Sequence, residues 1–313
     1  MQSTKETRAL RRHQTWLKVK RDKYLLLMLS PIILHYLVFS YLPMYGIILG
    51  FKNFDKVTLG ILGSPWVGFK YFEEFFSSIY VYRLFRNTLT INFVGLVVGF
   101  PLPIIFALAL NEIKAGPFKK TIQTVSYFPN FISTVIVVAL ITMFCNPTNG
   151  IFTKFAQAIG YTGKNLMLEK SLFKPIYIIS GMWQSFGWNS IIYLSALAAV
   201  DPAIHEAATI DGATRIQRAI HISLPGIEST VVMLLLLNIG GMFSIGAEKV
   251  MLLYSPSLYE VADVISTYVY RLGIEDAQFS YSTAVGLFNS LCNLALLSVA
   301  NFVSRKVSGV SLW

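Results

Sequence analysis

Residues 88–110 read TLTINFVGLVVGFPLPIIFALAL, an apolar stretch without a charged side chain. A helix of about 20 mostly apolar residues crosses the roughly 30 Å hydrocarbon core of a bilayer. Further stretches of this kind occur at 24–50, 122–144, 173–200, 227–247 and 283–303. The pattern therefore predicts an all-α polytopic membrane protein with six transmembrane helices.

The overall composition agrees with this prediction. The chain has 313 residues, of which 54% are hydrophobic and 13% charged, and its mean hydropathy is +0.58. Ordinary soluble domains contain about 25% charged residues, so lipid is the expected solvent for much of the surface. Cys145, Cys292 and the four scattered histidines show no metal-ligand spacing. We therefore expect this chain to bind neither a metal nor a cofactor.

The net charge of +10 is concentrated near the N-terminus, where residues 1–23 contain eight of the 26 Lys and Arg. A basic cluster before an apolar segment is typical of a cytoplasmic anchor on anionic lipid. A nucleic-acid-binding arm is less favoured because no binding module follows. Six spans place both termini on one side, which then carries 15 Lys and Arg against 11 on the other. We predict a cytoplasmic tail over 1–23, a transmembrane domain over 24–313 and cytoplasmic termini.

The loop between spans four and five reads DPAIHEAATIDGATRIQRAIHISLPG, residues 201–226. Asp201 is suited to cap a short helix that begins at Pro202. Gly212 permits a turn into a second helix, which Pro225 ends as span five begins. The Glu-Ala-Ala run of the first helix forms a small, shallow face that fits a groove on a partner protein.

This loop resembles the EAA loop of ABC importer permeases: Glu-Ala-Ala, two residues, Asp-Gly-Ala, and a spacer to Ile-x-Leu-Pro. The matching positions are Glu206, Ala207, Ala208, Asp211, Gly212, Ala213, Ile222, Leu224 and Pro225. In that family the helix pair transmits closure of the ATPase dimer to the membrane helices. The resemblance thus implies the type I importer permease fold and an ATPase-coupling role for residues 206–208 and 211–213. The alternative is an ordinary amphipathic helix at the membrane surface.

The resemblance covers nearly all of residues 24–313 and points to the polysaccharide-type carbohydrate permeases. It is carried by ILGSPWVGFKYFEEFF, FRNTLTIN, ALALNEI, FKKTIQTVSYFPNFIS, WQSFGWNSIIYLSAL, ISTYVYRLGI and YSTAVGLFNSLCNLALLSVAN. This sequence departs from the carbohydrate permeases at three loop positions, where relatives often carry bulkier aromatic residues: Ile216, Ala219 and Ile220. Composition and spacing alone indicate only an importer permease, which leaves a non-sugar solute as an alternative.

This resemblance also implies a set of partners. They are a second, homologous permease in a heterodimer, two cytoplasmic ATP-binding subunits and an extracellular solute-binding lipoprotein. The implied substrate is an oligosaccharide or a polysaccharide fragment, and the implied location is the plasma membrane of a bacterium, of the Gram-positive type. Membrane lipids complete the set, and no nucleic acid is expected.

No phosphate-binding loop for ATP occurs in the chain. The nearest fragment is Gly163-Lys164-Asn165, with Ala158 at the position of the first glycine and Asn at that of the Ser or Thr. Nor does any acid–base pair or nucleophile triad occur in the cytoplasmic loops. We therefore expect no catalytic residues, a chain that is not an enzyme, and ATP and Mg²⁺ bound only by the partner ATPase subunits.

Polar and aromatic side chains within spans four to six are candidates for a sugar pathway. Amides can donate to and accept from sugar hydroxyls, and aromatic rings can stack on sugar rings. The alternative is that the amides fasten helices together, that tryptophans anchor the membrane interface, and that Gly240 and Gly241 permit close helix packing. The candidates are Trp183, Gln184, Trp188, Asn189, Asn238, Asn289 and Asn293, with 184/188 and 289/293 each spaced to share a helical face.

An ion-coupled secondary transporter is the main alternative function, and a membrane scaffold or sensor is another. Coupled carriers commonly place an acidic residue within a span, and this chain has none mid-span. Glu112 and Glu248 fall at span ends, where we expect both in solvent. Neither alternative accounts for the 201–226 loop.

Overall fold

The computed structural model describes residues 20–54, 59–163 and 165–313. Residues 1–19 of the predicted basic tail lie outside the described residues. Within the described ranges the chain is helical and has no β-strand, apart from an isolated bridge between Lys52 and Trp66.

The principal helices are numbered in chain order. They are α1 (Lys23–Phe51), α2 (Lys70–Ser77), α3 (Val81–Asn111), α4 (Pro117–Phe131), α5 (Thr134–Phe144), α6 (Ile151–Ala158), α7 (Lys170–Leu197), α8 (Pro202–Ile210), α9 (Arg215–Gly226), α10 (Glu228–Gly240), α11 (Ala247–Leu253), α12 (Ile265–Tyr270) and α13 (Phe279–Val307). Shorter helical segments lie at Gly60–Gly63, Leu166–Leu168, Pro256–Leu258, Tyr259–Ala262 and Arg271–Glu275.

The helices α1, α3 and α13 are each long and apolar enough to cross a membrane. Three further pairs pass the same test together but are bent: α4 with α5 by 98°, α7 with α8 by 81°, and α9 with α10 by 66°. If each bent pair is one span, the described part of the chain has up to six. This number agrees with the six spans expected from the sequence.

Span three departs from the sequence prediction, which gave one stretch over 122–144. The chain turns by 98° between α4 and α5. Ser133 has an extended backbone, and its hydroxyl accepts a hydrogen bond from the Ile136 N–H at 3.4 Å. A serine in this arrangement caps a new helix. Hydropathy averaged over a span cannot detect such a restart, because it does not register where one helix ends and the next begins.

Span five was predicted over 227–247, but α10 ends earlier, at Gly240. A Cβ on Gly240 would lie 2.9 Å from Leu297 Cδ1 of α13, so the missing side chain lets the two helices approach closely. At Gly241 the nearest atoms are carbonyl oxygens of α10 itself. The predicted close packing is therefore confirmed for Gly240 alone.

Helices α3, α7, α10 and α13 form the body of the protein. Near the 201–226 loop their core contains Ile104, Ala107, Tyr193, Leu197 and Ile227; we call this end of the body the loop end. The opposite, distal end carries α2, α11 and α12 and has a core that includes Phe75, Leu84, Ile265, Tyr268 and Tyr281. Helix α1 is exposed from Lys23 to Tyr45 and becomes partly buried towards Gly50, where a Cβ would lie 3.2 Å from the Ala284 backbone of α13.

Candidate functional site

The first helix of the 201–226 loop begins as the sequence predicts. The Asp201 carboxylate accepts a hydrogen bond from the Ala203 N–H at 2.9 Å, and Pro202 occupies the first turn of α8. The capping oxygen satisfies one of the four N–H groups that have no partner at a helix start. This capped start makes α8 a separate helix, turned by 81° from α7.

Gly212 forms the turn between α8 and α9. Its φ is +82°, in the left-handed region that glycine adopts without steric strain. The Ala213 N–H donates to the Ala208 carbonyl at 2.9 Å, which closes the end of α8. No heavy atom lies within 4 Å of a Cβ built on Gly212. The requirement for glycine is therefore conformational rather than a matter of space.

The start of α9 has a capping box that the sequence analysis missed. The Thr214 N–H donates to Gln217 Oε1 at 2.8 Å, and the Gln217 N–H donates back to Thr214 Oγ1 at 3.3 Å. A Thr-x-x-Gln sequence is the signature of this arrangement. It fixes where α9 begins and so the relative placement of the two loop helices.

The loop presents an apolar surface to its surroundings. Among the predicted coupling residues, Glu206, Ala207, Asp211 and Gly212 are exposed, whereas Ala208 and Ala213 are half-buried. Four isoleucines are exposed around them, most of all Ile210 at 86% and Ile216 at 72%. We call these four residues the isoleucine surface: Ile204, Ile210, Ile216 and Ile220.

Arg218 joins three helices at the loop end. Its guanidinium donates to the Thr209 hydroxyl of α8 and lies 3.3 Å from Glu112 Oε2, directly after α3. Both charged side chains are mostly buried, with 17% and 19% of their surface exposed. Glu112 thus departs from the expectation that it lies in solvent, because Arg218 pairs with it; Glu248 is exposed as expected. The contact fastens α8 and α9 to the body of the protein.

A cavity of about 640 Å³ lies between α3, α7 and α10. Its size is within the range of small-molecule sites. The described lining residues carry no charge and combine amides and hydroxyls with apolar and aromatic groups. Among the described residues, no three His, Cys, Asp or Glu side chains are placed to hold a metal. The arrangement offers hydrogen bonds from amides and hydroxyls together with apolar and aromatic contacts to a solute.

The predicted pathway residues divide between this cavity and helix contacts. Asn189 and Asn238 line the cavity, and the Asn238 amide also donates to the Leu234 carbonyl of its own helix at 2.8 Å. Gln184 and Trp188 share a face, but that face meets the break between α4 and α5. There Gln184 donates to the Ile132 carbonyl at 2.8 Å, and Trp188 packs edge-on against a phenylalanine.

The remaining candidates lie away from the cavity lining. Asn293 of α13 accepts from the Phe243 N–H at 2.9 Å and donates to the Ser244 hydroxyl at 2.8 Å. It thereby holds the segment that follows α10. Trp183 is exposed, and the Asn289 Oδ1 is buried without a described hydrogen-bond partner. Helix fastening accounts for the contacts of Asn293.

Several cavity residues were missed by the sequence analysis. Asn92 lines the cavity and donates to the Met242 carbonyl, and Ser185 and Tyr177 line it from α7. Asn92 stands as a lone amide in the apolar run TINFVG, which is the signal that could have identified it. No sequence signal shows that α7 turns Ser185 and Tyr177 toward α3.

The distal end contains a buried ion cluster. The Asp263 side chain is fully buried and lies 2.8 Å from Arg83 and 2.9 Å from Arg271. The Thr267 hydroxyl also donates to Asp263, at 2.9 Å. Nearby, the exposed Glu260 pairs with Lys170, whose hydrogen bond and charge hold the pKa of Glu260 below its usual value. These contacts connect α3 and α7 to the segment before α12.

Residues 99–309 match the family described as "Binding-protein-dependent transport system inner membrane component". Among curated proteins, the chain is 42% identical to the polygalacturonan/rhamnogalacturonan transport system permease protein YteP of Bacillus subtilis (strain 168), over 95% of this chain and 92% of that protein. It is 41% identical to Protein LplB of the same strain, over 92% of this chain and 90% of that protein.

Two solved structures are similar over nearly the whole chain. One belongs to a bacterial ABC transporter involved in the import of the acidic polysaccharide alginate, with 40% identity, a TM-score of 0.85, and coverage of 94% of this chain and 99% of that one. The other is a bacterial alginate ABC transporter in complex with an alginate pentasaccharide-bound periplasmic protein. It has 39% identity and a TM-score of 0.85, and the match covers 95% of this chain and 99% of that one. These matches confirm the type I permease fold expected from the sequence.

Proposed function

Because this chain belongs to the family of inner membrane components of binding-protein-dependent transport systems, we propose that it conducts oligosaccharides or polysaccharide fragments across the membrane. It is an ABC transporter permease and not an enzyme. The observation that carries the proposal is the similarity, over nearly the full chain, to permeases named for polysaccharide import. The cavity between α3, α7 and α10 supports it, because amides and aromatic rings together suit a sugar.

The 201–226 loop is the proposed contact with the ATPase subunits. Its exposed Glu206 and isoleucine surface offer a docking face whose apolar part would be covered by a partner. Arg218 links this face to the end of α3 through Glu112. Movement of a docked ATPase would therefore reach α3, which lines the cavity. Such a transfer is rigid-body switching between inward-open and outward-open states.

The proposed assembly contains a second, homologous permease, two cytoplasmic ATP-binding subunits and an extracellular solute-binding lipoprotein. ATP and Mg²⁺ would bind to the ATP-binding subunits alone. Closure of the ATPases would open the cavity toward the receptor, and hydrolysis would reset it. In this scheme the permease pair is the bistable element.

We assign residues 1–23 to a cytoplasmic tail and 24–313 to the permease domain, in the plasma membrane of a bacterium of the Gram-positive type. The excess of Lys and Arg near the N-terminus supports a cytoplasmic location for the termini and the loop end. The distal end then faces the solute-binding protein. This orientation puts the isoleucine surface on the side where ATP is available.

The test is a pull-down from detergent with the co-expressed ATPase, followed by measurement of receptor-stimulated ATP hydrolysis. We expect the wild-type chain to retain the ATPase and a sugar-loaded receptor to accelerate hydrolysis. Gly212→Asp should reduce this stimulation, because it adds a charged side chain to the exposed left-handed turn between α8 and α9. Retention of no ATPase, together with uptake that follows an ion gradient, would instead establish a secondary transporter.

A further inference from the structure

Lys249 of α11 reaches the wall of the cavity from the distal end. It is half-buried, its Nζ donates to the Tyr177 carbonyl at 3.2 Å, and it lies 5.0 Å from the centre of the Tyr177 ring. The same Nζ would be 3.4 Å from a Cβ on Gly181. Tyr177 and Gly181 both line the cavity. The ammonium group thus adjoins a cavity whose described lining residues have no charge.

Lys249 differs from three nearby cations, Arg83, Arg271 and Lys170, in lacking a carboxylate partner among the described residues. Arg83 and Arg271 share Asp263, and Lys170 pairs with Glu260. Among the described residues no ion pair within 4 Å involves Lys249, and its neighbour Glu248 is exposed. An ammonium group has three N–H donors, and one protein carbonyl accepts from it here. A half-buried ammonium without a counter-charge favours an anion that arrives from outside the chain.

The surroundings of Lys249 match the chemistry of a sugar acid. Asn92, Asn189 and Asn238 supply amides to the same cavity, which suit sugar hydroxyls. A further cation, Lys174 on α7, lies within electrostatic range of Arg86, so positive charges lie close together in this part of the distal end. Such a field attracts anionic solutes.

We propose that Lys249 binds a carboxylate of a uronic acid unit and so selects acidic oligosaccharides at the distal end of the cavity. This inference rests on the proposed sugar-import function and adds the charge class of the substrate. It agrees with the acidic polysaccharide named for one similar structure.

The experiment uses the complete importer in proteoliposomes, with tetragalacturonate and neutral tetragalactose as probes. Lys249→Gln removes the charge at similar length, and Lys249→Arg keeps it. Glu248→Gln is the matched control, because it changes the charge of an exposed neighbour on the same helix. We expect Lys249→Gln to lower tetragalacturonate uptake about tenfold, since a charge-assisted hydrogen bond is lost. Lys249→Arg and Glu248→Gln should stay close to wild type.

Receptor-stimulated ATP hydrolysis separates a lost sugar contact from a damaged assembly. We expect stimulation to persist in Lys249→Gln, because the 201–226 loop is untouched. The inference is overturned if Lys249→Gln carries tetragalacturonate as fast as wild type, if Lys249→Arg is equally defective, or if wild type carries only tetragalactose. Wild-type liposomes that carry neither sugar would overturn the proposed function itself.

Discussion

The distal end encloses a buried ion cluster, whereas the loop end presents a group of four exposed isoleucines. At the distal end, Asp263 is fully buried between Arg83 and Arg271, and an aromatic core lies beside it. At the loop end, Ile210 and Ile216 are exposed at 86% and 72%.

This difference indicates which end requires another protein. Full burial of an isoleucine side chain contributes about 1.5–3 kcal/mol relative to exposure, so four exposed isoleucines leave a large favourable term unused. In the buried cluster of the distal end, the Asp263 carboxylate pairs with two guanidinium groups of the same chain. We therefore interpret the isoleucine surface as the part of the loop end that a partner covers, whereas the Asp263 carboxylate of the distal end has its partners within the chain.

Replacement of Asp263 should lower the stability of the chain more than any other substitution described below. Asp263→Ala leaves Arg83 and Arg271 without their buried counter-charge, and breaking such a cluster costs about 3–5 kcal/mol. We expect a clearly lower unfolding temperature in detergent. Glu260→Gln is the control, because its pair with Lys170 is exposed and should leave the unfolding temperature unchanged. Equal effects would show that the distal end does not depend on its buried cluster.

A charge in the isoleucine surface should weaken the ATPase contact without unfolding the chain. Ile210→Asp removes an apolar contact of about 1.5–3 kcal/mol, or about ten- to a hundredfold in affinity. The measurement is the amount of ATPase retained at increasing dilution. Ile79→Asp is the matched control, because Ile79 is exposed at 85% but lies at the distal end. Loss of ATPase in both variants would remove the distinction between the ends.

The Arg218 contacts that join α9 to α3 should matter more for coupling ATP hydrolysis to transport than for binding the ATPase. Arg218→Ala removes the contacts with Thr209 and Glu112. Each is a hydrogen bond that involves a charged group, and each contributes about 1.5 kcal/mol to holding the three helices together. We expect the ATPase to remain bound while the sugar transported per ATP falls. Arg218→Lys should recover part of the sugar transport per ATP, since Lys keeps the charge but lacks the planar guanidinium group. An unchanged transport ratio in Arg218→Ala would contradict the role of this link.

The smallest expected effect concerns the turn at Gly212. Gly212→Ala places a Cβ in the left-handed region, which costs about 1 kcal/mol. We expect a modest loss of receptor-stimulated ATP hydrolysis. Gly116→Ala is the control, since Gly116 has an extended backbone with φ of 168° and open space around it. A loss in Gly116→Ala of the same size would assign the effect to general destabilisation.

Much of the fold follows from local chemistry in the sequence. Hydropathy locates the spans because lipid requires long apolar helices. Asp201, Pro202 and Gly212 predict the first loop helix and its turn, because capping and left-handed backbone depend on neighbouring residues alone. Thr214 and Gln217 carry an equally local signal that was overlooked.

The features that sequence reasoning could not supply depend on contacts between distant segments. Arg218 and Glu112 are 106 residues apart, and Arg83 and Asp263 are 180 apart. Lys249 belongs to a segment that reads as an outer loop, and its approach to Tyr177 follows from the packing of α11 on α7. The amides divided between cavity and helix contacts for the same reason, because the rotation of each helix is set by its neighbours.

If a cytoplasmic ATPase covers the isoleucine surface of the 201–226 loop, residue 210 should become inaccessible when the ATPase binds. The most direct test is maleimide labelling of Ile210→Cys and Ile79→Cys in a background where Cys145 and Cys292 are replaced by serine. When the ATPase is added to the reconstituted permease pair, we predict that labelling at 210 slows about tenfold or more, as expected for a residue in a buried interface core, while labelling at 79 keeps its rate. Equal labelling at 210 with and without bound ATPase would contradict this placement of the ATPase.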